Sequence, residues 1–274
     1  MKFAICNEVF EGWAFDEMCR FSKKAGYDGV ELAPFTLAPR ITDLTQARRS
    51  ELRAQAADAG IEIIGLHWLL AGTAGLYLTS PDAGVRSRTA EYIVHLAEAT
   101  RDFGGSLMVF GSPKQRSLLP GVSADQAFDW SAQTFRRVMP AVADCGVTIC
   151  MEPLSPAETN FINTCAEGAS LVSAVNHPNF ALHLDVKAMS SESTPVVDLI
   201  RAYGPAAAHF HANDANMRGP GFGDVDFVPI FQALRDSGYG GWVSVEVFDY
   251  KPDPETIAVE SATYMERSLQ AAGS

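Results

Sequence analysis

Eight short apolar runs, each followed by a longer amphipathic stretch, predict a single-domain α/β fold of the (β/α)8 TIM-barrel class over residues 1–274. Runs alternating with helical stretches at this interval are the pattern of βαβ units around a parallel sheet. Their number and the chain length match a closed barrel, for which about 250 residues in one unit is usual. The longer connections, 68–82, 111–123, 153–164, 186–193 and 212–225, all follow strands. They therefore gather on the one face where such barrels carry their chemistry. A doubly wound open sheet is the competing arrangement, but no G-x-G-x-x-G turn follows the first run.

The first strand is expected at 3–6, with a helix over 14–25 that exits at Gly26. The second, 29–32, leads to a helix over 44–59 and Gly60, and the third, 61–67, to a helix over 83–103 and Gly104. Strand four at 106–110 precedes a helix over 124–144 that ends before Gly146. Strand five at 147–152 is followed by a helix over 165–176, and strand six at 180–185 by a helix over 194–203 and Gly204. Strand seven at 207–211 pairs with a helix over 226–237 and Gly238, and strand eight at 242–247 with the terminal helix over 254–271. Glycine at a helix exit supplies the left-handed residue that ends the helix.

Hydrophobic residues make up 47% of the chain and charged residues 20%, which suits a globular protein with a sizeable core. The formal charge of −12 speaks against a nucleic-acid partner, whose phosphates are met by Lys and Arg. Cys6, Cys19, Cys145, Cys150 and Cys165 are scattered, with no C-x-x-C pair and one left over from full pairing. They read as reduced, structural thiols. The N-terminal apolar run is too short for a signal peptide, and no stretch approaches the roughly 20 apolar residues of a membrane span. No membrane partner and a cytoplasmic setting are the expectation.

Four ligand-type residues close four consecutive runs. Glu152 follows Val147-Thr-Ile-Cys-Met, Asp185 follows Phe180-Ala-Leu-His-Leu, His211 follows Ala207-Ala-His-Phe, and Glu246 follows Trp242-Val-Ser-Val. Singly, such a Glu makes a salt bridge or caps a helix, and such a His is a hydrogen-bonded structural residue. Together, at the same ends of neighbouring parallel strands, three carboxylates and an imidazole meet at one mouth and form a site for one divalent cation. The oxygen-rich shell suits Mn²⁺ first, with Mg²⁺ or Co²⁺ also accommodated, whereas structural zinc prefers thiolates or several imidazoles.

Further candidates lie on the same face. Glu158 reads either as a partner for a substrate hydroxyl or as a solvated loop carboxylate. Lys114 and Arg116, after strand four, read as binders of a substrate anion or as a solvated basic loop. Arg218 opens the glycine-rich loop Arg218-Gly-Pro-Gly-Phe-Gly-Asp224 and is placed to enter the mouth, while Asp214 before it orients the site or makes a turn. His67 and Trp68 close strand three, and Phe10 and Trp13 follow strand one; each reaches the pocket or roofs the core. Glu31 ends strand two and is expected in the barrel floor.

These motifs resemble the sugar phosphate isomerase/epimerase group of xylose-isomerase-like barrels, which includes the D-tagatose and D-psicose 3-epimerases and the inosose isomerases. The shared pieces are Met-Glu152-Pro-Leu with Glu158 downstream, His-Leu-Asp185, Phe-His211-x-Asn-Asp with Arg218, and Val-Glu246, over nearly the whole chain. The resemblance implies one Mn²⁺-type ion on Glu152, Asp185, His211 and Glu246, a substrate contact at Glu158, and acid/base roles for Glu152 and Glu246. It also implies a sugar or cyclitol substrate and a homo-oligomer, dimer or tetramer. The chain departs from the group at Asp185-Val-Lys-Ala188, where the epimerases have Asp-x-x-His, and at Ser155-Pro-Ala157, which replaces an Asn-Arg-aromatic run; Arg218 is also displaced. The expected activity is a metal-dependent isomerase or epimerase that passes a ketose or keto-cyclitol through an enediolate by carboxylate proton transfer. The second reading is a lyase or dehydratase that expels a β-leaving group from a keto-sugar, inosose or keto-glycoside.

Overall fold

The computed structural model describes residues 1–273. Strands β1 (Lys2–Cys6), β2 (Gly29–Leu32), β3 (Glu62–Leu66), β4 (Leu107–Phe110), β5 (Thr148–Met151), β6 (Phe180–Asp185), β7 (Ala207–Ala212) and β8 (Trp242–Val245) form a closed barrel in sequence order. Each pairs in parallel with the next, and β8 closes on β1 from Lys2↔Trp242 to Ile5↔Val245. The expected (β/α)8 barrel is the observed fold.

Around it lie α1 (Phe15–Lys24), α2 (Gln46–Asp58), α3 (Ala83–Phe103), α4 (Ala124–Asp144), α5 (Cys165–Val175), α6 (Val186–Met189), α7 (Val196–Tyr203), α8 (Phe227–Asp236) and α9 (Pro254–Ala272). The connection expected at 186–193 is partly helical: Asp185 Oδ1 accepts from the Ala188 N–H at 2.6 Å and caps the one-turn helix α6. Five of the six predicted helix-exit glycines have positive φ, from 69° to 107°, as a left-handed exit requires. Gly204 does not, at φ −53°; it starts a 3₁₀ turn, and a Cβ there would meet Ser237 Oγ at 2.5 Å. Its smallness serves close packing.

Most of the core lies in the layer between strands and helices, with Phe110, Phe135, Phe180, Phe210 and Phe231 fully or nearly fully buried. A small separate cluster of Leu107, Val109 and Cys150 packs with Trp242 and Ala208. Side chains alternate along a strand, so residues two apart share a face. Cys150 and Glu152, His183 and Asp185, His209 and His211, and Ser244 and Glu246 are therefore stacked pairs, the second member of each one layer nearer the mouth.

Candidate active site

The C-terminal strand ends bring together a set of buried titratable groups. Glu152, Asp185, His211 and His183 each offer a donor atom within 4.8 Å of the others. Glu246 joins them through Oε2, 3.1 Å from His211 Nδ1, and is 3% exposed. Its other oxygen, Oε1, lies 3.2 Å from His67 Nδ1 and accepts from Trp68 Nε1 at 3.1 Å. Trp68 reaches it from a left-handed backbone, φ 52°, which is disfavoured for a residue with a Cβ and is held here by the surrounding contacts. Asp185 is braced on both oxygens: Oδ1 caps α6, and Oδ2 accepts from Asn213 Nδ2 at 2.5 Å. Asn213 Oδ1 in turn accepts from the Lys187 N–H at 2.7 Å, tying the β6 and β7 exits together.

One layer down, Glu31 accepts contacts at Oε2 from His209 Nε2 at 2.8 Å and His211 Nε2 at 3.2 Å. This is the floor position expected for it. Glu8, just past β1, holds His67 Nε2 at 2.9 Å through Oε2.

The electrostatics are unequal across the cluster. Burial, then the charges of Glu246 and Asp185, raise the Glu152 pKa well above the usual carboxylate range. Burial also raises Asp185, to about 6, against the opposing pull of Lys187. Glu246 is equally buried, but His211 and His67 outweigh that and hold it well below its ordinary value. Burial lowers His183 well below the ordinary imidazole value, helped by His211 and His209, and neither of its ring nitrogens has a hydrogen-bond partner among the described residues. Converging buried carboxylates, two of them raised in pKa by burial and by the charge of Glu246, with an imidazole in reach and another without a hydrogen bond beside it, fit a divalent cation. These buried His, Glu and Asp residues are consistent with a metal site.

The outer candidates divide. Glu158 accepts from Ser155 Oγ at 2.7 Å and from Lys187 Nζ at 2.8 Å, and it lines a cavity with His67, Trp68, Glu152, Glu246 and Phe248. The Lys187 ammonium also sits 3.8 Å from the centre of the Phe248 ring. This inner cavity measures only about 20 Å³, room for roughly one water. Arg116 is not at the mouth. It is fully buried and spans backbone carbonyls, donating to Glu152 O at 2.5 Å and Ile162 O at 3.0 Å. A sequence reading takes an Arg in a loop as exposed; here the loop after β5 folds over it and needs its donors. Arg218 is also turned away, with Nε 3.4 Å from Asp249 Oδ2 and Nη2 donating to Lys251 O at 3.4 Å. Lys114 is exposed and is not among the residues lining the inner cavity. Asp214 is a turn residue, accepting from the Val225 and Asn216 N–H groups. Phe10 and Trp13 stack with Phe21 beside a separate, larger cavity.

Glu8, His183, His209 and Asn213 were not singled out from the sequence. A signal existed for two of them: His183 and His209 stand two residues before Asp185 and His211, so strand alternation places them on the same inward face.

The profile of the family described as xylose isomerase-like TIM barrel matches residues 19–268. The D-psicose 3-epimerase of Ruminiclostridium cellulolyticum is 31% identical over 232 residues, covering 82% of this chain and 75% of the relative. The L-ribulose 3-epimerase of Methylomonas sp. is 29% identical over 229 residues, 82% of this chain and 75% of the relative. Among solved structures, a D-psicose 3-epimerase with D-tagatose from Clostridium cellulolyticum superposes with a TM-score of 0.87 at 23% identity over 99% of both chains. Matched over most of its length by that profile, and alike in fold throughout, this chain belongs to the xylose isomerase-like TIM barrel family.

Proposed function

We propose that the protein is a divalent-metal-dependent epimerase of an uncharged keto-sugar, with Glu152 and Glu246 moving a proton off and onto one carbon. The observation that carries this is that both carboxylates line one small cavity beside Asp185 and His211. A bound cation, with Mn²⁺ the first choice and Mg²⁺ or Co²⁺ alternatives, would polarise the substrate carbonyl and so acidify the neighbouring C–H. Glu152, Asp185, His211 and Glu246 would hold it, with His183 close enough to tune the shell.

The two glutamates stand in different surroundings, which supports separate acid and base roles. Glu246 is fixed by three neighbours, His67, Trp68 and His211, and kept as the anion, which is the state of a base. Protonating the same carbon from the opposite face inverts it, a role assigned to Glu152 as the other carboxylate lining the cavity. Asp185, braced by Asn213 and the α6 N-terminus, anchors the set. Glu158, with Lys187, supplies hydrogen bonds at the cavity's outer side. An uncharged substrate is supported by the fate of the basic residues: Arg116 is in the wall, Arg218 is paired with Asp249, and the charge of Lys187 is balanced by Glu158 beside it. The relatives' activities, at C3 of ketoses and at C4 of a 3-dehydro-D-guloside, favour the carbon next to the carbonyl.

The test is solvent-deuterium incorporation followed by NMR, with Mn²⁺ added, over ketoses, inososes and 3-keto-glycosides. Deuterium next to the carbonyl with an intact skeleton is the expected result. Loss of water or an aglycone would replace this reading with a lyase, and no exchange on any compound by metal-loaded protein would overturn it.

A further inference from the structure

A second cavity, of about 670 Å³, opens beside the inner one, between the connections after β1 and β2 and helix α2. It falls in the range of about 300–1,000 Å³ that encloses most of a small-molecule ligand. It is joined to the acid/base cluster through Glu8, which lines it and holds His67. Phe35, also in its wall, packs edge-on against Trp68 at a centroid distance of 6.4 Å, and Trp68 bonds Glu246. A ligand in the larger cavity would therefore lie next to the reacting carbon's site, separated from it by one aromatic pair.

The wall indicates what it takes. Two buried acceptor oxygens on lining residues, Glu8 Oε1 and Gln55 Oε1, have no donor among the described residues, and Glu8 is only 6% exposed. Buried acceptors are costly to leave unmet, so such a wall calls for a ligand rich in O–H donors. Trp13, Phe35 and Tyr250 line the same space and offer aromatic surface for an apolar ring face. Glu8, Glu11 and Asp16 face it against a single Arg48, which disfavours an anion. Hydroxyls in quantity, an apolar face and no negative charge together describe a sugar ring.

We infer that this cavity is a second sugar subsite, so that the substrate is a keto-sugar carrying another uncharged hexose through a glycosidic bond. The keto ring sits at Glu152 and Glu246, and the second hexose gives hydroxyl protons to Glu8 and Gln55 and stacks on the Trp13–Phe35 side. This rests on the epimerase reading of the inner site.

The experiment compares solvent-deuterium exchange on a hexosyl 3-keto-glucoside, the methyl glycoside of the same keto ring, and free ketohexoses, all with Mn²⁺-loaded protein. The expected result is a kcat/KM for the hexosyl compound at least about tenfold above the methyl one, and loss of that preference in Gln55→Leu, about the effect of removing one buried hydrogen-bond partner. Phe35→Ala, at a side chain 44% exposed, is the second variant should Gln55→Leu fold poorly; it should lower the same ratio. Equal values for the two glycosides, a ratio unmoved in both variants, or exchange on free ketoses alone would overturn the subsite and leave the epimerase reading standing. Exchange on none of the compounds would overturn both.

Discussion

Gly111→Ala isolates the placement of Glu152 from the stability of the barrel. Gly111 directly follows β4, and a Cβ built on it would lie 2.2 Å from Glu152 Oε2 and 3.3 Å from its Cδ. Carbon and oxygen in van der Waals contact stand about 3.3 Å apart, so the carboxylate would have to retreat by about 1.1 Å. The backbone is no obstacle, because φ at Gly111 is outside the left-handed range. Replacing a glycine in such a conformation removes unfolded-chain freedom and is worth about 0.4–1 kcal/mol of added stability where nothing clashes. A displacement near 1 Å of a reacting group costs about 100-fold in rate, or about 2.7 kcal/mol of transition-state energy. The expected variant is folded, with a thermal midpoint within a few degrees of the parent, and exchanges substrate deuterium about 100-fold more slowly. Calorimetry of Mn²⁺ binding on the same sample should show weaker affinity, since Glu152 is also a proposed ligand. A variant with parental metal affinity and turnover within about threefold of the parent would refute both roles given to Glu152.

Arg116→Met should destabilise without any substrate-specific effect. It strips the donor from Glu152 O, at about 1–3 kcal/mol for a carbonyl left unmet, and takes one of two donors from Ile162 O, which keeps the Leu154 N–H. A thermal-melt midpoint lower by several degrees is expected, and an unchanged midpoint with a raised KM would return Arg116 to the binding role. Metal affinity should fall steeply on acidification through about pH 6, because the raised Asp185 pKa lets a proton compete with the ion there. In chelator-treated protein the sign reverses. Asp185 binds its proton more tightly folded than unfolded, so its contribution to stability is present at low pH and is lost as pH rises from about 4 to about 6. A pH series of melts with and without metal checks both halves. Thiol titration of the native protein should find one fast group: Cys145 is half-buried, whereas Cys6, Cys19, Cys150 and Cys165 are buried, and burial pushes Cys19 up to about 12. Rapid reaction of several thiols would contradict the packing.

The barrel was legible because its signals are local. Each run of four to six strand residues and each amphipathic helix announces itself by periodicity, and eight in alternation leave little choice of topology. The convergence of Glu152, Asp185, His211 and Glu246 was legible for the same reason, since a strand end has a defined direction and a parallel barrel points all such ends one way. Arg116 and Arg218 were misplaced because loop side chains are positioned by long-range closure. Arg116 is drawn inward by a carbonyl 46 residues later, and Arg218 by an acid after β8, neither of which a loop sequence specifies. Glu8 was missed because the 3₁₀ turn Asn7–Phe10 begins one residue earlier, hiding the alternation that would have set it above Cys6.

Positions 187 and 188 are where the chain parts from the motif pattern it otherwise follows around Asp185. The Asp-x-x-His of the epimerases ends here in Ala188, which is buried and gives only its N–H to Asp185. The side chain that reaches toward the cavity comes from one residue earlier. The capped turn of α6 fixes Lys187 by its own N–H on Asn213 and sends Nζ to Glu158 and the face of Phe248. A His replaced by an ammonium cannot serve as an acceptor, so any substrate oxygen meeting this group must accept from it. Glu158, which also takes the Ser155 hydroxyl, would then be the acceptor for hydroxyls of the proposed substrate on that side. Because the inner cavity holds about one water as it stands, a sugar entering it must displace lining side chains, and the Lys187–Glu158 contact and Trp68 are two that could give way. Of the two, the ion pair is the easier to open, because a substrate hydroxyl can replace each of its partners in kind and Glu158 keeps 24% of its side chain exposed. Trp68 is pinned between Phe35, Phe248 and Glu246. Substrate hydroxyls would then replace each half of the pair, one donating to Glu158 and one accepting from Lys187.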